Sequence, residues 1–269
     1  MNPLHIVVCG SLVPDPLQTL EPIDTPAGPA LKNEALLPAI LDPWAAHALY
    51  EAAHLAKQHE GSRVWLVSLA PKAKLQQVMM SLAQKAPFEL VALDGPAHGF
   101  TDAHATAALL ADAIAGLPGL DRERLLLFGG WESASRGQGV TLQLIGERLG
   151  IVDQFQGVDR LTFREDGSLE VLERVEGGRH LVSLCEGPPA LLGWATGERP
   201  EPRNDPQTGM KNMRLMMPAL QKAKPASLPD GGPSYSEVRL PTQLRQTRIV
   251  KDMPAAAIAR EILEWIRQE

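Results

Sequence analysis

Four short apolar segments limit the folds that this chain can adopt. They span residues 4–9, 63–69, 88–93 and 125–128, and they show no regular alternation of polar and apolar side chains. Runs of this kind are typical of strands buried on both faces, as in a parallel sheet that is covered by helices. The sequence therefore predicts four buried strands.

Helical segments separate these predicted strands. Asp42 is a good N-cap and Pro43 suits the first position of a helix that ends near residue 59. Further helices are predicted over 72–86, 103–115 and 138–149, the second of them capped by Thr101 or Asp102. Strands that alternate with helices form right-handed βαβ units. We therefore expect an α/β fold of Rossmann-like type, with an open, mostly parallel sheet and helices on both faces.

The second half of the chain has a different pattern. Shorter strands are predicted over 160–163, 169–174 and 180–184, and Asp166-Gly167 and Gly177-Gly178 between them favour hairpins. This predicts a small antiparallel extension. Residues 187–245 are rich in Pro and Gly and too long for an ordinary connection, so they are expected to form an arm or a binding loop. Residues 255–267 then have the pattern of an amphipathic helix.

Composition excludes several classes of function. The net charge is −6, whereas nucleic-acid-binding proteins usually carry a basic excess, and two cysteines are too few for a disulfide framework. No apolar run approaches the roughly 20 residues that span a bilayer. We expect a cytoplasmic protein that does not bind nucleic acid.

No set of residues for covalent or acid–base catalysis stands out. The seven histidines are scattered without metal-ligand spacing, and neither G-x-S-x-G nor a G-x-x-x-x-G-K-[ST] phosphate loop is present. We therefore expect no catalytic residues and no metal site.

A glycine-rich segment over 128–139 follows the fourth predicted strand and leads into a helix. Ligands of open parallel sheets bind beyond the carboxyl ends of strands, where the amides at helix N-termini favour anions. Ser133, Ser135 and Arg136 add donors that suit phosphate oxygens. The ends of the other units, 9–11, 42–44 and 68–71, converge on the same edge. The sequence predicts a mononucleotide cleft there.

The segment 210–224 contains half of the eight methionines, and basic residues flank them. Methionine adapts its shape to different partners. Two interpretations stay open, a docking segment and a short helix that packs on the chain's own core, and the basic flank favours docking.

Several segments, taken in order, resemble the electron transfer flavoprotein beta-subunit family along nearly the whole chain. The resemblance is carried by Ile6–Cys9 with Val13–Asp15, Asp42-Pro43-Trp44, Val67–Pro71, Asp102 with Ala105–Ala107, Gly137–Gly139 through Glu147–Gly150, Leu172–Arg179 with Pro189–Leu192, and Met217–Lys224. The sequence departs from the family pattern at Ser11, Ser135 and Arg136, and residues 204–216 resemble an insertion.

This resemblance implies the beta subunit of a heterodimer, an electron carrier without bond-making chemistry of its own. The alpha subunit would hold most of a redox-active FAD, and this chain would bind AMP or a second FAD. Electrons would come from an acyl-CoA or N-methyl-amine dehydrogenase and go to a membrane quinone oxidoreductase.

The resemblance also implies site residues. The nucleotide would contact Cys9, Asp42, Pro43, Trp44, Ala45, Leu69, Gly129, Gly130, Trp131, Glu132, Ser133, Ala134, Ser135, Arg136, Gly137 and Gln138. Partner docking would involve Met213, Met216, Met217 and Leu220. The expected division is a nucleotide-binding domain with its extension over 1–194, a partner-recognition arm over 195–245, and a segment over 246–269 whose helix docks on the partner subunit.

Two other functions remain as alternatives. Gly129–Ser133 weakly resembles the Ser-Gly-Gly-x-Asp-Ser loop of adenylating enzymes of the ATP-pyrophosphatase type, but that loop normally follows the first strand. A nucleotide-sensing binding module would need neither a flavin nor a dehydrogenase. The methionine segment and the final helix favour fixed partners over such a module.

Overall fold

The computed structural model describes residues 3–26, 28–96, 101–135, 137, 139–228 and 249–268. In chain order, its strands are β1 (His5–Cys9), β2 (Leu12–Pro14), β3 (Pro22–Thr25), β4 (Gly28–Leu31), β5 (Ala39–Leu41), β6 (Arg63–Ala70), β7 (Glu89–Asp94), β8 (Leu125–Gly130), β9 (Asp153–Phe163), β10 (Leu169–Val175), β11 (Arg179–Cys185), β12 (Ala190–Trp194) and β13 (Lys224–Pro225). The α-helices are α1 (Pro43–Gln58), α2 (Lys72–Leu82), α3 (Ala103–Ala115), α4 (Val140–Arg148), α5 (Pro206–Gln221) and α6 (Ala255–Gln268).

One large sheet organises the described residues. Its strand order is β11-β10-β9-β12-β8-β1-β6-β7-β13. The seven strands at one side of this order, β9, β12, β8, β1, β6, β7 and β13, run parallel to one another. Strands β10 and β11 add an antiparallel hairpin to β9. The predicted α/β class is confirmed, and the four predicted buried strands are β1, β6, β7 and β8.

Burial on both faces explains why these strands lack alternation. Ile6 and Val8 point into a core formed with α1, α2 and α5, while Val7 points into a second core with α3 and α4. All three side chains are fully buried. Helices therefore cover both faces of the sheet, as the sequence predicts.

The predicted antiparallel extension is part of the main sheet. The strand β12, which the sequence analysis did not predict, lies between β8 and β9 and runs parallel to both. Through β9, it joins the hairpin to the rest of the parallel sheet. The reason it was missed is its brevity and its Pro- and Gly-rich surroundings, which conceal a five-residue strand.

Two small antiparallel pairs, β2 with β5 and β3 with β4, occupy the connection between β1 and α1. Strands of three or four residues are too short to show periodicity, so this substructure was not predicted. It places residues 11–39 beside the carboxyl ends of the parallel strands.

The expected arm over 195–245 begins as part of the packed domain. Helix α5 packs on α2 and β7, and β13 pairs with β7 at the sheet edge. Asn212 is buried and donates to the carbonyl oxygens of Ala83 and Ala86 at 2.8 and 3.0 Å. The end of the arm, residues 229–245, and the first three residues of the C-terminal segment, 246–248, lie outside the described residues.

Two apolar surfaces are exposed. The edge strand β11 presents Leu181, Val182 and Leu184, each more than half exposed. No side chain of α6 between residues 255 and 267 is buried, although this helix has the apolar face that the sequence predicts. None of the helices that the structure describes is both long and apolar enough to cross a lipid bilayer.

Candidate functional site

A cleft lies at the carboxyl ends of β1, β6 and β8. Its walls come from these strand ends, from residues within 11–14 and 34–39, and from the first turns of α3 and α4. This is the edge on which ligands of open parallel sheets bind. The position of the cleft agrees with the one that the glycine-rich segment predicts.

Asp42 connects two walls of the cleft. Its carboxylate accepts hydrogen bonds from the Trp44 amide at 3.1 Å, the Ser133 hydroxyl at 3.0 Å and the Ala134 amide at 2.9 Å. The side chain is 2% exposed, and burial raises its pKa above the ordinary carboxyl value. Asp42 therefore caps α1 and holds the loop after β8 against it.

The loop after β8 is folded tightly on itself. The hydroxyls of Ser133 and Ser135 lie 2.9 Å apart, and the Gly137 amide donates to the Ser133 carbonyl at 2.7 Å. A Cβ atom at Gly139 would lie 1.6 Å from the carbonyl oxygen of Trp131, which no side chain could tolerate. The glycine at position 139 is thus required by the turn itself.

The four helices that begin at this edge differ in how their first turns are satisfied. Carboxylates bond the first turns of three of them: Asp42 at α1, Asp94 to the Lys72 amide of α2 at 2.9 Å, and Asp102 to the Ala105 amide of α3 at 2.7 Å. The observed cap of α3 is thus Asp102 rather than Thr101.

Helix α4 is the exception. In the described part of the chain no side chain caps it, and Val140 and Thr141 of its first turn line the cleft. The first amides of a helix have no partner within the helix and carry a partial positive charge, so they attract an anion. The start of α4 is therefore where a phosphate fits best.

Further polar groups line the cleft, and most of them are neutral. Ser11, Thr101, Thr106, Ser135 and Thr141 supply hydroxyls. Lys74 from α2 also lines the cleft and adds a cation, while Glu34 and Glu132 add carboxylates. Hydroxyls of this kind can bond ribose or phosphate oxygens. The donor set suits a nucleotide.

Cys9 contributes apolar surface to the cleft. Desolvation raises the pKa of its thiol to about 12, so the thiol stays protonated at neutral pH. A protonated thiol is a poor nucleophile. Cys9 therefore fits a packing role against a ligand.

The structure brings most of the predicted nucleotide residues together. Those that line the cleft are Cys9, Asp42, Ala45, Leu69, Gly129, Gly130, Glu132, Ser133 and Ser135. Ala134 bonds Asp42 through its amide, and Trp44 and Trp131 form an edge-to-face pair with ring centroids 6.3 Å apart. Pro43 and Gly137 are not in the wall, and Arg136 and Gln138 lie outside the described residues.

Sequence reasoning missed two walls of the cleft. One is formed by residues within 11–14 and 34–39, including Glu34, and the other is the start of α3 with Thr101 and Thr106. The wall at the start of α3 could have been predicted, because the residues after β7 also follow the carboxyl end of a parallel strand at this edge. The first wall could not, since its strands are too short to predict.

The predicted docking residues need a correction. Met216 and Leu220 are 0% and 1% exposed and pack in the chain's own core, so they cannot contact a partner in this conformation. Met213 and Met217 are partly buried against the same core. The large apolar side chains of α5 that are exposed are instead Met210 and Leu215. An amphipathic helix, which turns every third or fourth residue of a methionine-rich segment inward, explains the difference.

Comparison with known proteins gives one family match. The family model described as "Electron transfer flavoprotein domain" matches residues 33–215, which is more than half of the chain. The matched region begins in the wall of the cleft and ends within α5. No curated protein matches the chain.

Proposed function

Since the chain belongs to the electron transfer flavoprotein family, whose members are flavoproteins that carry electrons, we propose that it is the beta-type subunit of a heterodimer. In this proposal the complex accepts electrons from a flavin dehydrogenase of the acyl-CoA or N-methyl-amine type. It passes them to a membrane quinone oxidoreductase. The alpha-type partner holds most of the working FAD.

The uncapped start of α4 in the cleft is the observation that carries the proposal. A nucleotide phosphate placed there would bond the free amides of the first turn. The hydroxyls of Ser135 and Thr141 stand in the same wall. We propose that this chain binds AMP or a second FAD in the cleft, and that the cofactor-binding residues named above hold it in position.

The residues of the cleft bind and orient rather than react. The Cys9 thiol is protonated, and Asp42 is already bonded to three donors of its own chain. A bound flavin supplies the redox centre of such a complex. This supports an electron-carrier subunit without bond-making chemistry of its own.

The exposed apolar face of α6 supports an obligatory partner. Ile262, Trp265 and Ile266 are 46%, 57% and 66% exposed. A contiguous apolar face on a helix is stabilised when another surface covers it. In the proposed complex the C-terminal segment 246–269 contributes this helix to the alpha-type subunit.

Co-expression with an alpha-type subunit tests the proposal. The purified heterodimer should show the absorbance of oxidised flavin, and mass spectrometry of the released small molecules should detect AMP or a second equivalent of FAD. The heterodimer should also be reduced when it is mixed with a dehydrogenase and its substrate.

Two outcomes would contradict the proposal. One is a stable monomer that binds neither flavin nor the alpha-type subunit. The other is release of pyrophosphate from ATP by the chain alone, which would favour the adenylating alternative.

A further inference from the structure

A chain of hydrogen bonds runs from a buried carboxylate to the surface of the cleft. Its members are Asp42, Ser133 and Ser135. The Asp42 Oδ2 atom lies 3.0 Å from the Ser133 hydroxyl, which lies 2.9 Å from the Ser135 hydroxyl. Asp42 is buried, whereas Ser135 is exposed in the wall of the cleft. The direction in which the two hydroxyls donate decides what this wall can offer to a ligand.

Backbone amides hold Asp42 as an acceptor. The Trp44 amide donates to one oxygen of the carboxylate, and the Ala134 amide donates to the other. An amide N–H can only donate, so both oxygens must present lone pairs. With Asp42 ionised, the proton between its carboxylate and the Ser133 hydroxyl therefore comes from Ser133.

The bonding capacity of Ser133 is fully used inside the protein. A serine hydroxyl has one proton and two lone pairs. Because its proton goes to Asp42, the proton in its contact with the Ser135 hydroxyl must come from Ser135. Its other lone pair accepts from the Ser135 amide at 3.3 Å. Ser133 can therefore act on a ligand only through Ser135.

Ser135 is left as an acceptor towards the cleft. Its proton is bonded to Ser133, and its lone pairs remain for a ligand. A phosphate is mostly ionised at neutral pH and offers acceptors of its own. The Ser135 hydroxyl thus matches a ligand group that carries an O–H or N–H proton.

A second acceptor stands in the same loop. Glu132 lines the cleft and adds a carboxylate, whereas the start of α4 offers amide donors. The wall therefore places acceptors in the loop and donors at the helix. A 5′-nucleotide is complementary to this arrangement, because its phosphate accepts and its ribose hydroxyls donate. Acidic side chains bind ribose hydroxyls in dinucleotide-binding α/β folds.

The loop keeps Ser135 near the start of α4. The Gly137 amide donates to the Ser133 carbonyl at 2.7 Å, and Gly139 lies against the carbonyl of Trp131. The residues between Ser135 and α4 therefore turn back instead of extending. In a 5′-nucleotide the ribose carries the phosphate, while the adenine amine lies at the far end. With the phosphate at α4, the ribose is the donor group nearest to this loop.

We propose that Ser135 accepts a hydrogen bond from a ribose hydroxyl of the bound nucleotide, and that Asp42 and Ser133 hold it in the accepting orientation. This inference rests on the function proposed above. The ribose is common to AMP and to the adenylate half of FAD, so the assignment applies to either ligand. It makes the cleft selective for ribonucleotides over deoxyribonucleotides.

Calorimetric titration of the heterodimer at neutral pH tests the assignment, after the copurified nucleotide has been removed. The ligands are AMP, 2′-deoxy-AMP, 3′-deoxy-AMP and inosine monophosphate, which lacks the adenine amine. The variants are Ser135→Ala, which removes the hydroxyl, and Ser135→Thr, which keeps one. Ser81→Ala makes the same truncation at an exposed position of α2 outside the wall of the cleft.

The wild type should bind one of the two deoxy analogues about 5-fold more weakly than AMP, the size of one lost hydrogen bond. Ser135→Ala should bind AMP about 5-fold more weakly and should no longer distinguish it from that analogue. A structural role alone would lower both affinities and keep their ratio. Ser135→Thr should restore the ratio, and Ser81→Ala should follow the wild type.

Other results would overturn the proposal. Equal wild-type affinities for AMP and both deoxy analogues, or a full ratio in Ser135→Ala, would refute the ribose contact and leave nucleotide binding intact. If Ser135→Ala instead loses the distinction between AMP and inosine monophosphate, the hydroxyl binds the base amine and the assignment to ribose is wrong. A heterodimer that binds none of these nucleotides and holds no flavin would refute the proposed function as well.

Discussion

Asp42 shows how much one side chain can organise in this protein. It caps α1 and also holds the loop after β8 through Ser133 and Ala134. The sequence predicts its role as a cap but not its contacts across the cleft, since these join residues about 90 positions apart in the chain. Tertiary contacts of this kind leave no local pattern.

The variant Asp42→Ala should lose both functions of this carboxylate. Loss of the cap costs about 0.5–2 kcal/mol of folding free energy, and the freed loop should lower nucleotide affinity about 5-fold, since one such hydrogen bond contributes about 1 kcal/mol. The control Asp102→Ala removes the cap of α3 without touching the loop. Calorimetric titration with AMP and thermal melting separate the two effects. Equal nucleotide affinity in both variants would contradict the role of Asp42 in the loop.

Nucleotide binding should also respond to acid through Asp42. Burial raises its pKa above the ordinary value of 3.8, and Glu132 adds to the rise, so the folded protein takes up this proton at a higher pH than the unfolded chain. A raised carboxyl pKa means that protonation of Asp42 does not itself destabilise the fold as the pH falls. Protonation does turn one acceptor oxygen into a donor, so the loop loses a bond.

Nucleotide affinity is therefore expected to fall with decreasing pH while Asp42 itself contributes no loss of folding stability in the same range. The dissociation constant for AMP, measured from neutral pH down to the onset of acid unfolding, checks this. The variant Asp42→Ala should remove this part of the pH dependence. A wild-type constant that is flat until the protein unfolds would contradict the explanation.

At the scale of secondary structure, α4 differs from its neighbours because its first turn is free of side-chain caps in the described residues. An acidic side chain in that turn stabilises the helix but repels a phosphate. The variant Val140→Asp places a carboxylate in the wall of the cleft at a residue that is 42% exposed. The variant Gln143→Glu adds the same charge to an exposed position of α4 outside the wall.

Val140→Asp should weaken AMP binding about 10-fold or more, since a charge at a helix terminus contributes up to about 2 kcal/mol. Its melting temperature should not fall, because the new carboxylate stabilises the first turn of α4. Gln143→Glu should bind AMP nearly as the wild type does. Calorimetric titration checks both, and an unchanged affinity of Val140→Asp would place the phosphate elsewhere.

Helix α6 has an apolar face that the described residues of the chain do not bury. The variant Ile262→Gln/Ile266→Gln removes two exposed apolar side chains, whereas Arg260→Gln/Glu264→Gln alters the same helix without changing net charge. Burying one isoleucine contributes about 1.5–3 kcal/mol. The first variant should therefore weaken the heterodimer at least 10-fold, and the control should leave it intact.

The fluorescence of Trp265, which is 57% exposed, reports on this association during titration with the alpha-type subunit. Equal affinities for the two variants would show that α6 docks in another way.

At the scale of the whole molecule, the buried parallel strands were predictable as short unbroken apolar runs, and their helices were predictable from apolar residues at helical spacing. The edge of the sheet that holds the cleft could be predicted from the order of strands and helices along the chain. The order of the strands within the sheet could not be predicted. The insertion of β12 between β8 and β9 depends on which apolar surfaces fit together, and so does the packing of α5 on α2.

The methionine segment shows the same limit at a single helix. Its composition is unusual, and each of the two interpretations, a docking segment and a helix packed on the core, describes some of its methionines. Met216 packs inward as a core helix requires, while Met210 faces outward. The sequence could not decide which methionine does which, because the helix boundary at Pro206 was not predicted and the boundary sets the phase of the inner face.

The exposed edge strand β11 affects how the protein assembles and aggregates in the cell. Its outer backbone groups have no strand partner among the described residues, and together with the exposed Leu181, Val182 and Leu184 they form a template on which a second strand can assemble. Chains made in excess of a partner that covers this edge would self-associate and precipitate or be degraded. In the proposed heterodimer, balanced synthesis of the two subunits and assembly soon after translation would then matter as much as the proposed affinity for a nucleotide.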